Sequence, residues 1–165
     1  MDSPIRRLAE NDAQALATFG AACFREAFEA HFPAPELQLL CEAAFALPVM
    51  TQLIADGAWV AGDWQGYAAR GSLPCPVAGL ASPAVELARL YVPQRWQGQG
   101  ISDGLLERFL AEAAEGGGRS VWLEAYRGNP RALAFYRRWG FRDCGPFDLI
   151  CEGITLPHLL MGREL

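Results

Sequence analysis

The sequence predicts an α/β domain built on a mixed sheet, and three observations carry that expectation. Apolar strand-like runs alternate with amphipathic helical runs along the chain. Residues 85–126 have the order and length of a strand–helix–strand crossover, which demands parallel strands. Two late apolar runs, 147–151 and 159–165, can pair as antiparallel strands. At 165 residues and 52% hydrophobic content, the chain has enough apolar surface for one good-sized core, and a single domain over 1–165 is expected.

The elements follow in order. Residues 5–8 read as a first strand, and Asn11 or Asp12 caps a helix reaching about Phe32, with Leu16, Phe19, Cys23, Phe24 and Phe28 at helical spacing. Pro33 and Pro35 interrupt it. A second helix begins near Glu36 and carries Leu37, Leu40, Cys41, Ala44 and Phe45; Pro48 breaks or kinks it, with 49–55 resuming. Residues 58–61 and 65–71 form a hairpin turned at Gly62-Asp63. Three prolines, Pro74, Pro76 and Pro83, make 72–83 a loop, and a strand over 85–92 follows. A helix over 101–115 buries Leu105, Leu106, Phe109, Leu110 and Ala113 and ends at Gly116-Gly117-Gly118. The strand 120–126 completes the crossover. Asn129 is placed to cap one more helix, with Pro130 in its first turn and Gly140 at its end.

Composition removes several function classes. No apolar run approaches the roughly 18 residues of a membrane span, and the opening Met1-Asp2-Ser3-Pro4-Ile5-Arg6 lacks the pattern of a secretory leader, so a cytoplasmic location is expected. Five widely spaced cysteines without a Cys-x-x-Cys pair read as reduced thiols, and His31 and His158 alone make a metal site unexpected. All fourteen basic residues are arginine, and the formal net charge of −5 argues against a nucleic-acid partner. The same charge is compatible with a cationic substrate without establishing one.

The junction between 85–92 and 101–115 is where chemistry concentrates. An apolar strand runs into Gln97-Gly98-Gln99-Gly100-Ile101-Ser102, where a glycine-rich turn aims backbone N–H groups and the positive helix end at one point, an anion site. The turn lacks Gly-Lys-Ser/Thr, so a nucleoside triphosphatase is disfavoured. Asn129 reads either as a plain cap or as a ligand contact. Tyr136 reads either as core, in line with Ala132, Phe135 and Trp139, or as a proton donor facing a cleft. Glu86, on an otherwise apolar strand, is a candidate base or half of a structural ion pair; strand alternation points Arg89 to the opposite face. Arg137 and Arg138 read as a solvated face, with a ligand phosphate as the alternative. No Gly-x-Ser-x-Gly elbow or other nucleophile system stands out.

Together these residues resemble the GCN5-related N-acetyltransferase superfamily. Its phosphate signature, Gln/Arg-x-x-Gly-x-Gly/Ala, aligns with 97–102, preceded by the strand end Leu90-Tyr91-Val92, with Ser102 standing where Gly or Ala is usual. Its second element, Asn-x-x-Ala-x-x-Phe-Tyr followed by Gly-Phe, matches Asn129, Ala132, Phe135, Tyr136, Gly140 and Phe141. A narrower similarity, to bacterial spermidine/spermine N-acetyltransferases, rests on Phe24 to Phe28, the Glu86-Leu-x-Arg-Leu-Tyr-Val92 strand, Val121 to Glu124 and the end at Met161 to Leu165.

The resemblance implies a mostly antiparallel central sheet with a parallel βαβ pair splayed at the cofactor site, flanked by about four helices. It implies acetyl-CoA as donor, beside the absence of a metal expected above from composition: pantetheine along Leu90, Tyr91 and Val92, an N–H near Leu90 facing the oxyanion, diphosphate over Gln97, Gly98, Gln99, Gly100, Ile101 and Ser102. Asn129 would hold the pantetheine end and Tyr136 would protonate the thiolate. Glu86 is the first choice of base and Glu124 the second. The acceptor expected is a primary amine, a polyamine or other small amine, with direct transfer in a ternary complex and Glu26 and Glu29 attracting the cation. A protein N-terminal or lysine acetyltransferase and a non-catalytic acyl-CoA-binding module are the alternatives; no nucleic acid or membrane is expected, and a homodimer is allowed.

Overall fold

The computed structural model describes residues 3–165. Met1 and Asp2, part of the opening read above as lacking a leader, lie outside the described residues. Seven strands form one sheet: β1 (Ile5–Arg7), β2 (Ala58–Ala61), β3 (Gly66–Gly71), β4 (Ala84–Tyr91), β5 (Ser120–Tyr126), β6 (Arg142–Cys151) and β7 (Ile154–Glu164), in the spatial order β1-β2-β3-β4-β5-β7-β6. Five α-helices cover it: α1 (Ala13–Phe28), α2 (Ala34–Ala44), α3 (Leu47–Asp56), α4 (Ile101–Glu115) and α5 (Pro130–Arg138). Every neighbouring strand pair is antiparallel except β4 with β5, the pair joined by the α4 crossover.

Alternation along the strands divides the core in two. Ala58 and Val60 of β2 and Tyr67 and Ala69 of β3 face α1, α2 and α3. Trp59, Ala61, Ala68, Val121 and Leu123 face the other way, against Leu105, Leu106 and Phe109 of α4. Fully burying a side chain such as Leu105 or Leu106 contributes about 2 kcal/mol.

Five helices rather than about four flank the sheet because Pro48 starts one. The chain leaves α2 at Phe45 and turns at Ala46 (φ −57°, ψ 141°), and Pro48 sits in the first turn of α3, where a missing N–H removes no helical hydrogen bond. The two axes are bent by 49°. No single helix among the described residues is long and apolar enough to cross a membrane. Helix α1 also stops at Phe28, short of Phe32, whose place before Pro33 disfavours helical backbone. The last hairpin is longer than expected. Glu152 (φ 52°) and Gly153 (φ 74°) form a two-residue turn with both φ positive, while β6, at the sheet edge, tolerates Pro146.

Candidate active site

Strands β4 and β5 hold register only at Ala84↔Ser120, Val85↔Val121 and Glu86↔Trp122. Beyond that point β4 continues to pair with β3, and β5 with β7, so the parallel strands part. A cleft of 920 Å³ occupies the gap. On the α4 face it is lined by Gly98, Gly100 and Ser102 and by Asn129, Phe135 and Tyr136; on the α1 face, by Phe28, His31, Glu124, Tyr126 and His158.

The parting is accompanied by a bulge. Against β3, Arg89 faces Ala69 and Leu87 faces Arg70, which leaves Ala88 as an extra residue on β4. A bulge turns two successive side chains to one side. Accordingly Val85, Leu87, Leu90 and Val92 pack on the α4 side, while Ala88 and Tyr91 pack on the α1 side. The alternation that placed Arg89 opposite Glu86 is therefore broken, and the guanidinium acts on the carboxylate through space. The two still make separate hydrogen bonds: Arg89 Nη2 donates to the Ala44 carbonyl at 3.2 Å, and Glu86 Oε2 accepts from Leu73 N–H at 2.9 Å.

That bond corrects the placement of the first-choice base. Glu86 is only 8% exposed, its carboxylate lies against Gly71, where a side chain would collide with it, and it does not line the cleft. Glu124 does. Burial, then the charge of Glu86, pushes the Glu124 carboxyl above its ordinary range, and Arg89 partly opposes the shift.

The glycine-rich turn has the backbone expected of it. Gly98 (φ 78°) and Gly100 (φ 81°) are both left-handed, and a Cβ built on either meets nothing within 4 Å, so the backbone there faces open space. The glutamine side chains serve the turn itself: Gln97 Nε2 donates to the Val92 carbonyl at 3.0 Å and Gln99 Nε2 to the Arg95 carbonyl at 3.1 Å. Ile101 turns its side chain into the core beneath α4. Leu90, Tyr91, Val92, Gln97 and Ser102 line the cleft, whereas the Gln99 and Ile101 side chains do not. A Gly100→Ala substitution forces a Cβ into a left-handed residue at a cost of about 1–2 kcal/mol. We expect the variant to lose that much stability, read as a lowered Tm in thermal unfolding.

One feature of this turn was missed in the sequence. Asp103, in the first turn of α4, would repel an anion, but its Oδ1 accepts from Arg138 Nη2 at 2.7 Å and from Trp139 Nε1 at 2.9 Å. Arg138 also lines the cleft, as does Arg131, while Arg137 is held by Asp143 at 2.7 Å. Asn129 is a helix cap, its Oδ1 accepting from Ala132 N–H at 3.1 Å, and the residue also lines the cleft. Tyr136 lines it too, its ring held edge-on by Phe135 at 5.3 Å and Phe141 at 5.7 Å, and burial raises its hydroxyl pKa. Glu26 borders the cleft, but its Oε2 accepts from Gln94 N–H at 2.8 Å, tying α1 to the turn; Glu29 lies outside it.

The parted strands thus enclose a cleft bordered by an open glycine-rich turn and by the Glu124 carboxylate. Residues 21–141 match the acetyltransferase (GNAT) family, and the chain belongs to it. An uncharacterized N-acetyltransferase of Mycobacterium tuberculosis is 40% identical over 61 residues, covering 37% of this chain and 39% of that protein. The spermine/spermidine N(1)-acetyltransferase of Bacillus subtilis is 27% identical over 104 residues, 62% of this chain and 68% of that one. Among solved structures, the PaiA N-acetyltransferase of Thermoplasma acidophilum in complex with coenzyme A superposes with a TM-score of 0.79 at 15% identity, covering all of both chains.

Proposed function

We propose that this protein transfers the acetyl group of acetyl-CoA to the primary amine of a small molecule, directly, within a ternary complex. The observation that carries the reading is the parting of β4 and β5 after Glu86 and Trp122, which leads from the open Gly98–Gly100 backbone past Tyr136 to Glu124. Acetyl-CoA supplies an acetyl group activated as a thioester.

The chain's own groups do the rest. N–H groups of 98–102 and the α4 dipole hold the diphosphate, with Arg138 cancelling the Asp103 charge and Arg131, which also lines the cleft, adding positive charge. The unpaired β4 edge at Leu90, Tyr91 and Val92 binds the pantetheine, helped by the Asn129 side-chain amide, and an N–H near Leu90 donates to the thioester oxygen. Glu124 takes a proton from the ammonium, the neutral nitrogen so formed bonds the acetyl carbon, and its second proton passes to solvent as the tetrahedral intermediate collapses. Tyr136 gives its phenolic proton to the sulfur as the carbon–sulfur bond breaks, and is reprotonated from solvent. The products are an amide and free coenzyme A.

Direct transfer is supported by Cys23, the cysteine that lines the cleft. Burial pushes its thiol up to about 12, so it stays protonated and is a poor acyl acceptor. A protein acceptor would want a long open groove. The Bacillus subtilis relative makes a polyamine the finer reading to test beside monoamines and peptides. The test is release of free thiol from acetyl-CoA across amines and lysine peptides, with the product identified by mass. Release requiring a small amine is expected; binding of coenzyme A without acetylation of any amine would leave the non-catalytic alternative.

A further inference from the structure

We infer that the acceptor is a monoamine with a flat aromatic body, its ring lying against the wall formed by Phe28, His31, Tyr126 and His158 and its nitrogen at Glu124. The inference rests on the acetyl-transfer reading and names the substrate class of that site.

Glu124 and Tyr126 are two residues apart on β5, so both project to the α1 face, about 7 Å apart along the strand. Around the Tyr126 ring stand Phe28 at 5.2 Å, His31 at 5.3 Å, Phe32 at 6.0 Å and His158 at 6.0 Å, in edge-on or tilted contacts. Phe28, His31, Tyr126 and His158 all line the cleft. The Tyr126 ring lies over Gly128, where any side chain would strike it. His158 Nδ1–H donates to the Leu156 carbonyl at 2.9 Å, and burial lowers its pKa, so this wall is a neutral ring at physiological pH. Aromatic walls favour an aromatic guest through edge-on packing beyond simple burial. A ring on an arm of about two to three carbons fits between such a wall and Glu124.

Charge points away from a linear polycation. The cleft's carboxylates are Glu26, Asp103 and Glu124, balanced by Arg89, Arg131 and Arg138. Glu26 is held by Gln94 N–H and Asp103 by Arg138 and Trp139. The Gln94 N–H is neutral, so Glu26 keeps its charge; Glu124 is the carboxylate on the strand that carries the aromatic wall, where several ammonium groups in a row would find rings in place of further carboxylates.

The test compares kcat/KM for 2-phenylethylamine, n-propylamine, spermidine and a lysine peptide, with acetyl-CoA saturating. We expect 2-phenylethylamine to exceed spermidine by about tenfold or more. Tyr126→Ala is expected to raise KM for 2-phenylethylamine by about five- to tenfold while moving n-propylamine and acetyl-CoA less than about twofold. His31→Ala, at an exposed position, gives a smaller shift of the same sign and serves if Tyr126→Ala fails to fold. Spermidine equalling or exceeding 2-phenylethylamine, or equal losses for aryl and alkyl amines, overturns this inference and leaves acetyl transfer standing. Transfer to none of the amines overturns both.

Discussion

Tyr136→Phe is expected to lower kcat about a hundredfold while leaving coenzyme A affinity within about twofold. The aromatic ring is what Phe135 and Phe141 grip, at 5.3 and 5.7 Å, and phenylalanine keeps it, so α5 and the cleft wall survive the change. What is lost is one proton at the sulfur. Burial raises the Tyr136 pKa, with two consequences. The phenol stays protonated throughout the working range, so it is always ready to donate. It is also a weaker acid than a solvated phenol, which places its contribution toward the lower end of the range for general acids. Stopped-flow or steady-state kinetics with calorimetry on coenzyme A separates the two readouts. Turnover within about twofold of the parent would return Tyr136 to the purely packing role its helical spacing also allows.

What was legible in the sequence was whatever is decided locally. The βαβ crossover, the glycine turn and the Asn129 cap each depend on a few adjacent residues, and each was placed where the structure has it. The unread features depend on partners far along the chain. The Ala88 bulge arises from pairing with Ala69 and Arg70 across the sheet, and it reverses which face Arg89 occupies. Asp103 is neutralised by Arg138, thirty-five residues away, which no spacing rule reveals. Glu86 looked like the more conspicuous carboxylate because it interrupts an apolar strand; its partner is a loop N–H at Leu73, invisible until the loop after β3 is folded. The aromatic wall gathers α1, β5 and β7 at one cleft, and no local motif around His31 or His158 marks it.

Those two carboxylates make the most discriminating pair of variants. Glu124→Gln is expected to lower kcat/KM at neutral pH about a hundred- to a thousandfold. An alkylamine with a pKa near that of lysine, about 10.4, is almost wholly protonated at pH 7, and without a base the enzyme must wait for the neutral fraction. The variant's rate should therefore climb about tenfold per pH unit until the amine's own pKa is reached. The parent should behave differently. Its activity falls on the acid side as Glu124 gains a proton, at a pH displaced above the ordinary carboxylate range by burial and by the Glu86 charge. Glu86→Gln removes that charge and keeps an oxygen for Leu73 N–H, so the acid limb should move to lower pH with little change in rate at neutral pH. Both carboxylates are neighbours, and deleting either perturbs the other; the pH profile, unlike the rate at one pH, tells them apart. If the steep alkaline rise appears in Glu86→Gln and not in Glu124→Gln, the proton leaves through Glu86, and the carboxylate in the cleft only sets the field around it.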